Sequence, residues 1–300
     1  MRVDVCICTF RRPQVTETLA SVEAARRPEN LRMRIIVVDN DDRPTAKSRV
    51  TEAAAAMTIP VRYLHIPGAN ISIARNAALD AADADWIAFL DDDEIAESEW
   101  LDTLIARQGA TGADAVFGRS KAVYGPDAAA WLRVGDFHSQ SPVTRRGTVE
   151  TGHTCNALLR WNGAPWVGER FDPGRGRSGG EDTEFFFRLR RRGARYAIAP
   201  DSIVREAVPA DRATLDWLLR RRFRIGQSHA SSAKGFVAQV RLFGAAGVKS
   251  IYCHLRALPA RRRMEARAFW LMRGRMHLGV CAGCLGLRQR RLYGERDGAS

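Results

Sequence analysis

Trp86-Ile-Ala-Phe-Leu-Asp-Asp-Asp-Glu94 is the stretch on which the reading of the fold turns. Trp86 to Leu90 is an unbroken apolar run, too short for a helix, and reads as a strand buried on both faces. It stops on four carboxylates in a row. Upstream the same arrangement recurs. Arg34 to Val38 (RIIVV) is another buried strand and stops on Asp39-Asn40-Asp41-Asp42. Val3 to Thr9 (VDVCICT) is a β-type run ending at the turn Phe10-Arg-Arg-Pro13, and Val61 to His65 is a further strand. Helical patterns fill the gaps: Val15, Leu19 and Val22 share one face, an alanine-rich helix spans Lys47 to Met57, and another runs from Ser72 to Ala82 after the Pro67-Gly68 loop. Strands and helices alternating at this spacing predict an α/β fold with a mostly parallel, doubly wound, Rossmann-like sheet. Ligands of such sheets bind beyond the carboxyl ends of the strands. Thr9, Asp39 and Asp91 each close a strand, so three strands are expected to deliver polar groups to one edge.

Composition agrees with a folded chain. At 300 residues, 45% hydrophobic and 27% charged, it can bury a sizeable core, which excludes disorder. The length fits one large domain with an appendage, or two small domains. The net charge of +13 is unevenly spread. Residues 1–150 hold 18 Lys+Arg against 22 Asp+Glu, a net of −4; residues 151–300 hold 29 against 12, a net of +17. A basic rear of this kind invites nucleic acid, an anionic membrane or a phosphate-rich substrate. Asp4 interrupts any apolar leader segment, so no secretory signal is expected. No apolar run reaches the ~20 residues of a membrane span. The six cysteines imply no disulfide framework, and Cys281-x-x-Cys284 lacks the second pair of a zinc site. A reducing cytosol is the expected compartment.

The second half is less regular. Residues 118–180 are rich in Gly, Ser and Arg and read as loops with a short mixed sheet. A helix is expected from Thr183 to Arg192, with Phe185, Phe186 and Leu189 on one face and Gly193 as its stop. After Pro209 the chain turns helical and basic, from Leu215 to Phe223 and from Phe236 to Tyr252.

Two features carry chemistry. Repelling carboxylates directly after a buried strand cost stability unless a cation lies near. Such hard oxygen ligands suit Mg²⁺ or Mn²⁺ held together with a diphosphate; a solvated acidic turn is the plainer alternative. Asp182 follows Gly179-Gly180-Glu181 and opens a predicted helix, whose N-terminus favours the ionised carboxylate of a general base. Simple helix capping by Glu181 and Asp182 is the competing reading there.

Taken together, the ordered segments resemble a family 2 glycosyltransferase of the GT-A fold, of the bacterial succinoglycan type. The segments that carry the resemblance are Val5-Cys-Ile-Cys-Thr-Phe-Arg-Arg-Pro13, Ile36-Val-Val-Asp-Asn40, Ile73-Ala-Arg-Asn-Ala77, Ile87-Ala-Phe-Leu-Asp-Asp-Asp-Glu94 and Gly179-Gly-Glu-Asp-Thr-Glu184. The resemblance covers residues 3 to about 230. It implies a catalytic domain over residues 1–230, with a nucleotide-sugar half (1–118) and an acceptor half (119–230), followed by a basic helical region over 231–300. It also implies roles: Thr9 and Asp39 toward the nucleotide base and ribose, Arg75 toward the base or diphosphate, Asp91 and Asp92 on the ribose side, Asp93 on Mg²⁺ or Mn²⁺, and Asp182 as base. Glu181 would orient acceptor or base. Relatives carry a His before a Val-Pro where this chain has Glu206, which leaves Glu206 as an uncertain metal ligand. The run Arg220-Arg-Arg-Phe-Arg224 loosely matches the family's late basic motif near the diphosphate, which brings in Arg224. The Trp-ending form of processive synthases is missing, so transfer of one sugar is expected. Thr151-Gly-His-Thr-Cys-Asn156 and Phe171-Asp172 resemble acceptor-side loops, but His153 reads as an ordinary loop histidine and is left out of the site.

The expected activity is therefore inverting transfer of a sugar, from a nucleotide-sugar that the resemblance makes UDP-linked, to a glycan or polyprenyl-diphosphate-linked acceptor. A nucleotidyltransferase would want a glycine-rich phosphate loop where Thr9-Phe-Arg-Arg-Pro13 stands; a non-catalytic sugar-nucleotide binder would want a defective base. A nucleic-acid partner is not expected, since the motif-bearing half is acidic. The stripe Phe236, Val240, Phe243 and Ile251, accompanied by Arg241, Lys249 and Arg256, suits a helix lying on an anionic inner membrane from the cytoplasmic side. Packing on the catalytic domain with a solvated basic face is the alternative.

Overall fold

The computed structural model describes residues 1–142, 144–145, 147–230 and 235–287. Its first half follows the predicted alternation: β1 (Arg2–Thr9), α1 (Val15–Ala24), β2 (Arg32–Asp39), α2 (Lys47–Ala55), β3 (Val61–His65), α3 (Ile71–Ala81) and β4 (Trp86–Asp91). The four strands are mutually parallel, and their register sets Thr9 beside Asp39 and Cys8 beside Asp91. Period-2 alternation explains the apolar runs. Val5, Ile7, Ile35, Val37, Ala88 and Leu90 face one core layer with Leu19 and Val22 of α1, while Cys6, Ile36, Val38, Ile87 and Phe89 face the opposite layer with Ala74 and Leu79 of α3.

The second half completes the sheet with β5 (Glu94–Ala96), α4 (Trp100–Thr111), β6 (Ala115–Tyr124), α5 (Ala130–Gly135), a hairpin of β7 (Thr144–Arg145) and β8 (Thr148–Val149), β9 (Asn156–Arg160), α6 (Glu181–Arg191) and β10 (Tyr196–Val208). The eight-stranded order is β3-β2-β1-β4-β9-β6-β10-β5. β9 lies antiparallel between β4 and β6, with Asn156 opposite Leu90. That reversal has a consequence for function: the chain enters β9 at the edge where β4 leaves its carboxylates. β10 runs antiparallel to β5 and sets Glu206 opposite Glu94.

The helical region comprises α7 (Leu215–Ala230), α8 (Phe236–Ala257), a short 3-10 turn and α9 (Met264–Cys284). Glycines let α7 and α9 touch backbone to backbone: a Cβ on Gly226 would stand 2.0 Å from the Met276 carbonyl oxygen, and one on Gly279 1.9 Å from that of Phe223. Packing thus joins α7 to α9, while Leu218 of α7 also packs on Leu132 of the preceding domain. Of the expected 231–300 region, residues 231–234 and 288–300 lie outside the described residues.

Candidate active site

Three segments far apart in sequence meet at the carboxyl end of β4, and local hydrogen bonds explain how. The Asn70 side chain caps α3 by accepting from the Ser72 and Ile73 N–H groups, and its amide donates to the Pro173 carbonyl. The Ser72 hydroxyl donates to the Asp172 carbonyl at 2.9 Å. Asn76 exchanges two hydrogen bonds with the Phe171 backbone, at 2.9 and 2.7 Å. The segment from Phe171 is thereby clamped along α3, and the Phe171 ring stacks on Phe185 of α6 at 4.0 Å. Next the chain passes Gly179 and Gly180, with φ of +92° and +85°, a left-handed pair that only glycine adopts cheaply. It then enters α6 at Glu181 and Asp182.

Arg75, buried one turn into α3, receives both ends of this construction. Its guanidinium donates to Glu181 Oε1 at 2.5 Å and to Asp91 Oδ1 at 3.4 Å. Burial works against its charge, but Glu181 and Asp91 outweigh that and keep it firmly protonated. Burial pushes Glu181 upward against the pull of Arg75, and Glu181 Oε2 has no hydrogen-bond partner. Asp182 behaves differently. Burial would raise it, yet His153, with Nδ1 3.3 Å from Asp182 Oδ2, and the Arg75 charge bring it down to about 2. His153 is raised in turn, because Asp182 outweighs the cost of enclosing an imidazolium.

Around the end of β4 sits the acidic group. Asp91 is partly exposed. Asp92 is buried and raised to about 6 by that burial, with Arg12 opposing, and its Oδ2 has no partner. Asp93 is ion-paired with Arg12, whose Nε also lies 3.7 Å from Asp92. Glu94 accepts the Asp91 N–H at 3.1 Å. Glu94 is driven well up by burial and by Asp91, and its Oε1 is unpartnered. Glu206 is likewise raised by burial and Asp91. Orphaned carboxylate oxygens within an all-oxygen donor set fit a hard divalent cation. Among the described residues no three His, Cys, Asp or Glu side chains already surround a point that would hold one, so such an ion would need further oxygens from a substrate.

Beyond β1 and β2 opens a cavity of about 600 Å³, lined by Arg11, Arg12, Asp41, Asp42, Arg43 and Arg49 among others. Asp41 accepts from Arg11 at 2.9 and 2.8 Å, which holds its carboxyl below the usual range. Asp39 does not reach this space. It is fully buried, accepting from the Ala46 N–H and the Tyr63 hydroxyl, both at 2.8 Å, and it folds the loop that carries Asp41. Thr9 is buried beside it at the end of β1.

The structure therefore brings Arg75, Asp91, Asp92, Asp93, Glu181, Asp182 and Glu206 to one place and sets Asp39 behind it. Arg224 lies on α7 one turn after Arg221, whose charge reaches Glu206 and His153. Farther along α7, Ser228 lies against Gly180. Sequence reasoning missed His153, Arg12, Asp41 and Arg221. The signal for His153 was its place just before β9, which matters only once β9 is known to run backwards; Arg12 and Asp41 stood within motifs already singled out.

A sheet of this order, with an acidic strand end between a basic cavity and an arginine-locked Glu-Asp pair, is that of a GT-A glycosyltransferase. The chain belongs to Glycosyl transferase family 2, whose sequence pattern matches residues 4–162. It is 44% identical over 301 residues to the succinoglycan biosynthesis protein ExoM of Rhizobium meliloti (strain 1021), covering 99% of this chain and 97% of that protein. Two solved structures share the fold at low identity. The mannosyltransferase PcManGT from Pyrobaculum calidifontis, in complex with GDP-Man and Mn²⁺, matches with a TM-score of 0.58 and 16% identity over 92% of this chain and 86% of that one. TarS 1–349 of S. aureus, in complex with UDP-GlcNAc, matches at 0.52 and 16% over 91% and 90%.

Proposed function

We propose that this glycosyltransferase moves a single sugar, with inversion, from a UDP-sugar to a hydroxyl of a glycan or polyprenyl-diphosphate-linked acceptor in exopolysaccharide synthesis. The observation that carries the reading is the Asp91–Arg75–Glu181 bridge, which sets Asp182 beside the acidic strand end, where His153 and then the Arg75 charge hold its carboxyl down. The exopolysaccharide role is supported by the likeness to ExoM, and the uridine donor rests on the sequence resemblance.

In this reading the nucleoside enters the cavity at Arg11 and Asp41, with Thr9 and Asp92 on its ribose side. Asp91 lies with Asp92 toward the ribose, and Asp93, assisted by Glu206, would hold Mg²⁺ or Mn²⁺ together with the diphosphate; when bound, the ion would neutralise charge on the leaving diphosphate. Arg75 holds its positive charge in place with no reorganisation, and Arg221 and Arg224 add cations along α7. Asp182 accepts the proton of the acceptor hydroxyl as that oxygen attacks the anomeric carbon. Glu181 is held by Arg75, so Asp182 serves as the base, and one carboxylate suffices for a direct displacement. A polyprenyl-linked acceptor places the reaction at the cytoplasmic face of the inner membrane, with the enzyme in peripheral contact.

A screen of nucleotide-sugars with lipid-linked acceptors, with and without Mg²⁺ or Mn²⁺, tests the reading by release of nucleoside diphosphate. UDP release from one donor is expected, lost on chelation and in Asp93→Ala. Failure of every donor with either ion would overturn it.

A further inference from the structure

The outward face of α8 is apolar along its whole length. Val237, Val240, Val248, Ile251, Leu255 and Leu258 recur at spacings of three or four around Gly244, so they form one stripe. Val237 and Val248 are 70% exposed, Ile251 65% and Leu255 59%. The opposite stripe, Ala246, Ser250, Cys253 and Ala257, is buried, and the Ser250 hydroxyl donates to the Gly274 carbonyl of α9 at 3.0 Å. The helix thus packs through its small residues and turns its large ones to solvent, the inverse of an ordinary surface helix. At 22 residues the helix is about 33 Å long. A continuous apolar strip of that length marks a binding surface.

Charge selects the occupant. Residues 236–263 hold six Lys and Arg and no Asp or Glu, and Arg241, Lys249 and Arg256 border the stripe on α8 itself. A second copy of this face would bring like charges together, whereas an anionic lipid surface pairs with them. No helix among the described residues is long and apolar enough to cross a membrane. We infer that α8 lies flat in the headgroup region of an anionic bilayer, with Val248, Ile251 and Leu255 inserted and Arg241, Lys249 and Arg256 on lipid phosphates. The inference deepens the reading of a lipid-linked acceptor, and rests on it for the choice of bilayer. Because α9 packs on both α7 and α8, the anchor stands one helix away from the helix that carries Arg221.

The test is sedimentation of the full chain with vesicles of phosphatidylcholine alone or mixed with phosphatidylglycerol. Wild type should pellet with the mixed vesicles, less so at high salt. The V248E/I251E/L255E variant should partition at least ~10-fold less, from the loss of three inserted apolar side chains. All three sites are exposed, so unchanged melting is expected, and UDP release to a water-soluble acceptor should match wild type. Vesicle binding by the variant equal to wild type overturns the inference, as does a wild type that ignores anionic vesicles. A wild-type dimer that the variant abolishes, with no vesicle binding by either, would assign the face to self-association and also overturn it. Because UDP release is read on the same samples, failure of the anchor and failure of the transferase reading are separable.

Discussion

In the proposed reaction the chemistry concentrates on Asp182. Its oxygens meet His153 on one side and the Thr183 N–H, at 2.6 Å, on the other. Asp182→Asn keeps the shape and removes the proton acceptor. Turnover should fall about 10²–10⁴-fold, with donor affinity by calorimetry unchanged; turnover near wild type would remove Asp182 from the role. His153 sets a pH dependence whose sign follows from the pair. An imidazolium holds Asp182 near 2, which keeps it ionised but makes it a weak base. Since the His153 value is raised by Asp182, the ring loses its proton only above its ordinary range. As pH rises through that value, the carboxylate regains basicity, so kcat should climb above the ordinary histidine range. In His153→Gln the limb should flatten, read from a kcat–pH profile. The groups whose charges reach this ring are Asp182, Arg221 and Asp91, so the Arg221 charge is expected to blunt the shift.

At the scale of elements, legibility followed the physics of each signal. β1, β2 and β4 were readable because strands buried on both faces are mainly apolar, with Asp4 of β1 met by Arg34, and each stops where its polar edge begins. Arg75 and the Glu181-Asp182 pair were readable as motifs, but their union depends on Phe171 and Asp172 being clamped to α3 by Ser72 and Asn76, pairings about a hundred residues apart that no periodicity encodes. The surroundings of Asp39 were hidden for a related reason: strand-end position does not reveal that it accepts from Ala46 and Tyr63. β10 escaped because Pro200 and Asp201 interrupt its apolar pattern where its pairing with β6 shifts register. The α7–α9 contact yields a prediction of its own. Gly226→Val would push a side chain into the Met276 carbonyl, costing about 1–3 kcal/mol, read as a lower Tm. Because α7 carries Arg221 and Ser228 to the site, activity should fall at temperatures where the sheet itself remains folded.

For the whole molecule, the uneven charge now has a spatial meaning. The front half, net −4, supplies the carboxylates at the end of β4, while the rear, net +17, supplies α7 along the site and the arginine-bordered stripe of α8. Neither half makes the site alone, since Asp91 and Arg75 come from the first and Glu181 and Asp182 from the second. The central claim is that this joint site performs one direct displacement with Asp182 as its base. The measurement that tests it most directly is the anomeric configuration of the product, read by NMR after transfer from a donor of known configuration. The account predicts the opposite configuration to the donor's; a product that keeps the donor's configuration would contradict it.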